Sequence, residues 1–135
     1  DVWVLNEVLA RVRNPLHVLS RIRSCIPVGG CVIVCLPNAQ HWSVLAKLCV
    51  GDFRYEDAGL MANSNLRFFT RATMLEMFVR TGFKMEQGFP RILSELKNES
   101  VAAAIKSMAS AVGADPALAL QDCLPTKFVV KLVCA

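Results

Sequence analysis

The chain has 135 residues, 54% hydrophobic and 19% charged, with fifteen basic and eleven acidic side chains for a net charge of +4. That length suits one domain and excludes a two-domain enzyme or a long repeat array. The apolar share excludes a disordered chain and exceeds what so short a chain can bury, which predicts bare apolar surface and a partner to cover it.

Residues 2–5, Val-Trp-Val-Leu, read as a short strand buried on both faces, closed by the polar pair Asn6 and Glu7. Asn14 followed by Pro15 is a helix start, and Leu16, Val18, Leu19, Ile22 and Ile26 recur at helical spacing behind it. Pro27-Val28-Gly29-Gly30 is a turn, and residues 31–36 are continuously apolar and β-rich up to Pro37-Asn38. Strand, helix, turn and strand in this order predict a right-handed crossover in a parallel sheet.

Trp42, Leu45, Leu48 and Cys49 predict a helix over residues 41–50, and residues 52–65 show no period and read as a long loop, functional or mobile. Thr70 caps a predicted helix whose buried side includes Met74, Leu75, Phe78 and Val79, ended by Gly82. Residues 83–89 alternate as a half-exposed strand near an edge. Residues 92–96 are expected to add a helical turn or two, residues 100–112 an alanine-rich helix stopped by Gly113, and residues 116–121 a brief helix after Asp115. Residues 127–134 close the chain as a strand. The expectation is a single α/β domain over residues 1–135 with four strands and no internal repeat.

Pro27, Gly29, Gly30, Pro37 and Lys47 interrupt every apolar stretch well short of the roughly 18 to 20 residues a bilayer crossing requires, so no membrane contact is expected. Asp1 leads directly into an apolar run without a basic leader, which reads as a start cut from something longer. Arg11, Arg13, Arg21 and Arg23 read as a solvated helix face, so no nucleic-acid partner is expected. The six cysteines include no C-x-x-C pair and only His17 and His41 could assist them, which predicts no metal site and reduced thiols in a cytoplasmic setting.

Several phrases resemble the carboxyl-terminal half of a class I S-adenosylmethionine-dependent methyltransferase. They are Asp1-Val2-Trp3-Val4-Leu5-Asn6-Glu7-Val8-Leu9, Asn14-Pro15-Leu16, Pro27-Val28-Gly29-Gly30, Leu36-Pro37-Asn38 and His41-Trp42-Ser43-Val44-Leu45. Gly51-Asp52-Phe53-Arg54-Tyr55-Glu56-Asp57-Ala58-Gly59-Leu60, Leu66-Arg67-Phe68-Phe69-Thr70 and Gly82-Phe83 extend the likeness over about residues 1–90 and the last strand. The long loop resembles a narrower bacterial branch of the family.

The resemblance implies a partial Rossmann-like sheet with strands equivalent to 4, 5, 7 and 6 of the family order 3-2-1-4-5-7-6, flanked by helices. It also implies that the glycine-rich turn after strand 1, which holds the cofactor, is missing, and no G-x-G-x-G occurs here. S-adenosylmethionine is therefore expected only if the missing half is supplied. Where the family continues from its equivalent of Val8-Leu9 with glutamate and histidine, this chain has Ala10 and Arg11. Where the family carries a histidine before Leu66, it has Asn65.

By resemblance, Asn6 and Glu7 border the cofactor, His41 is the catalytic base, and Asn38, Tyr55, Asp57 and Arg67 meet a small-molecule acceptor such as a sugar. Each also has a structural reading. Glu7 favours the positive end of the next helix, Asn38 and His41 cap a helix, Tyr55, Asp57 and Arg67 pin the long loop, and Trp42 with Phe68 and Phe69 belongs to the core. His17 reads as structural. Two functions follow: a methyltransferase-like domain inactive as this chain alone, completed by an N-terminal half, or a non-catalytic interaction module that forms a homodimer or binds a partner through an exposed strand edge.

Overall fold

The computed structural model describes residues 1–135. The elements are β1 (Val2–Asn6), α1 (Val8–Arg11), α2 (Pro15–Cys25), β2 (Cys31–Pro37), α3 (Trp42–Cys49), α4 (Arg71–Arg80), β3 (Phe83–Arg91), α5 (Glu99–Ala111), α6 (Pro116–Cys123) and β4 (Lys127–Cys134). The four strands form one open mixed sheet in the order β1-β2-β4-β3, with β1 and β2 parallel and β4 antiparallel to both β2 and β3. The fold is thus mixed α/β, with helices flanking the sheet.

Local chemistry accounts for the helix ends. The Asn14 side chain accepts the His17 backbone N–H at 3.0 Å while Pro15 occupies the first helical position, where no N–H is needed. Thr70 and Thr73 exchange side-chain to backbone hydrogen bonds across the first turn of α4. The Asn98 and Asp115 side chains cap α5 and α6 by accepting two backbone N–H groups each from the first turn. In the turn ahead of β2, a Cβ on Gly30 would lie 2.7 Å from Ile26 Cγ1 and 3.0 Å from the Pro27 carbonyl oxygen, so only glycine fits.

The core lies on one face of the sheet. Leu5, Val32, Val34, Leu36, Phe128, Val130, Leu132 and Phe83 meet Leu9 and Ala10 of α1, Leu19 and Ile22 of α2, and Met74, Met77 and Phe78 of α4. Period-2 alternation then sends the other half of each strand to the opposite face, where Cys31, Ile33 and Cys35 of β2 and Val129, Lys131 and Val133 of β4 remain half-buried.

Four expectations require correction. Residues 2–5 form the expected strand but are not buried on both faces: β1 is an edge strand, with Val2 63% and Val4 66% exposed and only Leu5 buried. Residues 92–96 form no helix. Val79 is 72% exposed, and Met77 takes its expected place in the core because the helix turns a different stripe inward. Leu48 and Cys49 of α3 are likewise exposed, and Val44 is its buried residue. The four-residue helix α1 was not foreseen, since four residues cannot display a period. No helix is long and apolar enough to cross a membrane.

Candidate functional site

The carboxyl ends of β1 and β2 and the start of antiparallel β4 meet along one rim. Asn6 ends β1 opposite Cys35, and Pro37 ends β2 opposite Lys127. Glu7 follows immediately, with its backbone N–H donating to the Cys35 carbonyl at 2.9 Å. Its φ of 59° makes it the one non-glycine residue in the left-handed region, a conformation that costs about 1 kcal/mol. The turn aims its carboxylate at two cations, Arg11 Nη2 at 2.9 Å and Lys127 Nζ at 3.2 Å. The Glu7 side chain makes no capping hydrogen bond to α1, so the ion pairs, rather than the helix end, hold it. Cys35 lies beneath, its thiol pushed up by burial and drawn part of the way back by Lys127.

Asn38 is fully buried and uses all of its side-chain polarity within the chain. Its Nδ2 donates to the carbonyls of Asp122 and Pro125, each at 2.8 Å, and its Oδ1 accepts the Gln40 N–H at 3.0 Å. It therefore clamps the α6–β4 connection to the end of β2. His41 is 2% exposed and caps α3: its Nδ1 accepts the Ser43 N–H at 3.3 Å and lies 2.7 Å from Ser43 Oγ. With Nδ1 taken as an acceptor, the ring proton is assigned to Nε2, which is buried and meets no partner. Burial pushes the imidazole below the ordinary histidine range, so the ring is neutral near pH 7.

Residues of the long loop gather elsewhere. Tyr55 is 61% exposed and meets Phe53 edge-on at 5.8 Å, and Asp57 is also exposed. The loop is held instead by Glu56, which exchanges backbone hydrogen bonds with Met61 and Asn63 and pairs through its carboxylate with Lys47. Arg67 pins chain segments together: its Nη2 donates to the Arg13 carbonyl at 2.8 Å and its Nη1 to its neighbour Leu66. Phe69 packs against the core while Phe68 is exposed, and Trp42 is half-buried with its indole N–H unpartnered.

The structure brings Asn6, Glu7, Asn38 and His41 to one rim and leaves Tyr55 and Asp57 in solvent. Lys127 was missed because it lies 120 residues from Glu7 in the chain, and only the alternation of the last strand hinted that one of its lysines ends at this rim. The residues present do not make a nucleoside site by themselves. Every glycine with a positive φ, namely Gly29, Gly51, Gly59, Gly82 and Gly113, lies outside the turns that follow β1 and β2 at this rim. No group of three or more His, Cys, Asp or Glu side chains is placed to hold a metal ion. No protein-family model matches the chain, and no curated protein sequence matches it.

Proposed function

We propose that this chain is the carboxyl-terminal half of an S-adenosylmethionine-dependent methyltransferase-like fold, inert alone, and completed by strands that pair along β1. The observation that carries the reading is the sheet. Its order β1-β2-β4-β3, with β1 and β2 parallel and the last strand inserted antiparallel beside β2, agrees with the order 4-5-7-6 implied by the sequence resemblance. The unpaired side of β1 then lies where the family's strand 1 would add. Glu7, held in a strained turn at the rim, borders the cofactor in this reading, and His41 lies on the side of a small-molecule acceptor.

A second reading is favoured by the exposure of Val2, Trp3 and Val4: an interaction module whose β1 edge pairs with a second copy or a partner strand. Calorimetric titration with S-adenosylmethionine separates the two readings from a complete enzyme. The isolated chain is expected to take up no ligand, and tight one-to-one uptake by it would refute the proposal. A longer product carrying a strand and a glycine-rich turn upstream of Asp1 is expected to bind the cofactor and to bind it less well as Glu7→Ala. Failure of that longer product to bind would leave the interaction module as the surviving reading.

A further inference from the structure

A cleft of about 420 Å³ opens between α4, β3 and the end of α6, away from the Glu7 carboxylate and the β1 edge. Its floor is apolar: Met74, Phe128 and Val130 are buried in the core, and Leu75 and Leu124 are half-buried beside them. Its mouth is apolar as well, with Met85 41%, Ile92 51% and Phe89 54% exposed. This volume is within the range of small-molecule sites.

Asp122, Arg71 and Gln121 interrupt the apolar wall, and Asp122 is its one carboxylate. The Asp122 side chain is 14% exposed, and its nearest cation is Arg71, whose Nε stands 3.9 Å from Asp122 Oδ1. That separation is too long for a hydrogen bond, and no other side chain or backbone group donates to the carboxylate, although the Asp122 backbone carbonyl accepts from Asn38. A carboxylate has about four acceptor positions, and those of Asp122 are open to a donor in the cleft. Arg71 is 43% exposed, so its charge is largely answered by solvent.

We infer that this cleft binds a small molecule with an aromatic or aliphatic body and a primary amine, the body on the Met74–Phe128 floor and the ammonium on Asp122. An ammonium brings both the opposite charge and three donors that the carboxylate lacks. The assignment does not depend on the methyltransferase reading.

Tryptamine and indolepropionate, which share a ring and differ in the charge of the tail, are the probes. In heteronuclear NMR titrations, tryptamine is expected to give saturable shifts centred on Met74, Asp122 and Phe128, and indolepropionate to bind at least about tenfold more weakly. Asp122→Asn, which keeps the shape and removes the charge, is expected to abolish that preference, and the amide spectrum reports whether it remains folded. The comparison of the two probes on the unaltered chain stands even if the variant unfolds. Equal binding of both probes, shifts centred elsewhere, or no saturation at millimolar tryptamine would overturn the assignment.

Discussion

Asn38 makes three hydrogen bonds from a fully buried side chain, and all three go to backbone groups. Asn38→Ala is expected to lower stability by about 2 to 4 kcal/mol, because two carbonyls and one N–H lose their partner beside the core. Chemical denaturation measures it, and a loss below about 1 kcal/mol would show that water replaces the amide. His41 makes a prediction of a different kind. Burial disfavours its protonated form, so the unfolded chain takes up the proton more readily than the folded one. Its contribution to stability is therefore intact above the ordinary histidine value of about 6.5 and is lost as pH falls from there through the lower folded value. His41→Asn keeps a capping side chain and removes the titration. The variant is expected to lose less stability than the parent between about pH 7 and about pH 5, and parallel pH profiles would exclude the effect.

Among the elements, α4 best shows where periodicity succeeds and where it misleads. Met74 and Phe78 fall in the core as a four-residue step requires, yet the neighbouring position on the stripe is Met77 and not Val79. With 3.6 residues per turn Met77 lies about 60° from Met74 around the helix whereas Val79 lies about 140° from it, so the spacing itself favours Met77, which shares the core with Phe78, with Leu19 and Ile22 of α2 and with Phe83 of β3. Phe78→Ala is expected to cost about 3 to 5 kcal/mol by leaving a cavity, whereas Val79→Lys should stay within about 0.5 kcal/mol. Thermal melts of the two variants check the rotation, and a large loss in Val79→Lys would contradict it. The cap at Thr70 and the strand 127–134 were legible in the sequence because a capping threonine and a period-2 run are local signals. The end of β3, the irregular segment 92–98 and helix α1 carry no such signal.

At the scale of the whole molecule, the sheet has a filled face and a half-buried one, and β1 is an edge whose outer backbone groups have no partner within the chain. Apolar edges of this kind associate unless charge or a bulge protects them. The chain is expected to sediment as a dimer at concentrations on the order of tens of micromolar. Val4→Lys, which places a charge on the exposed edge position, is expected to give a monomer of nearly unchanged stability. A parent chain that remains monomeric in light scattering would rule out self-association through β1, and a Val4→Lys dimer would move the contact to another surface.

Sequence alone determined the alternation of strands and helices, the caps at Asn14 and Thr70, and the placement of Asn38 and His41 just beyond β2, because each depends on neighbours within a few residues. Only the tertiary structure decided that Glu7 is held by Lys127, that Asn38 clamps α6 to β2, and that Asp122 faces an apolar cleft. The physical reason is range: capping and period arise between adjacent turns, whereas burial and ion pairing are set by which distant segments the sheet order brings side by side.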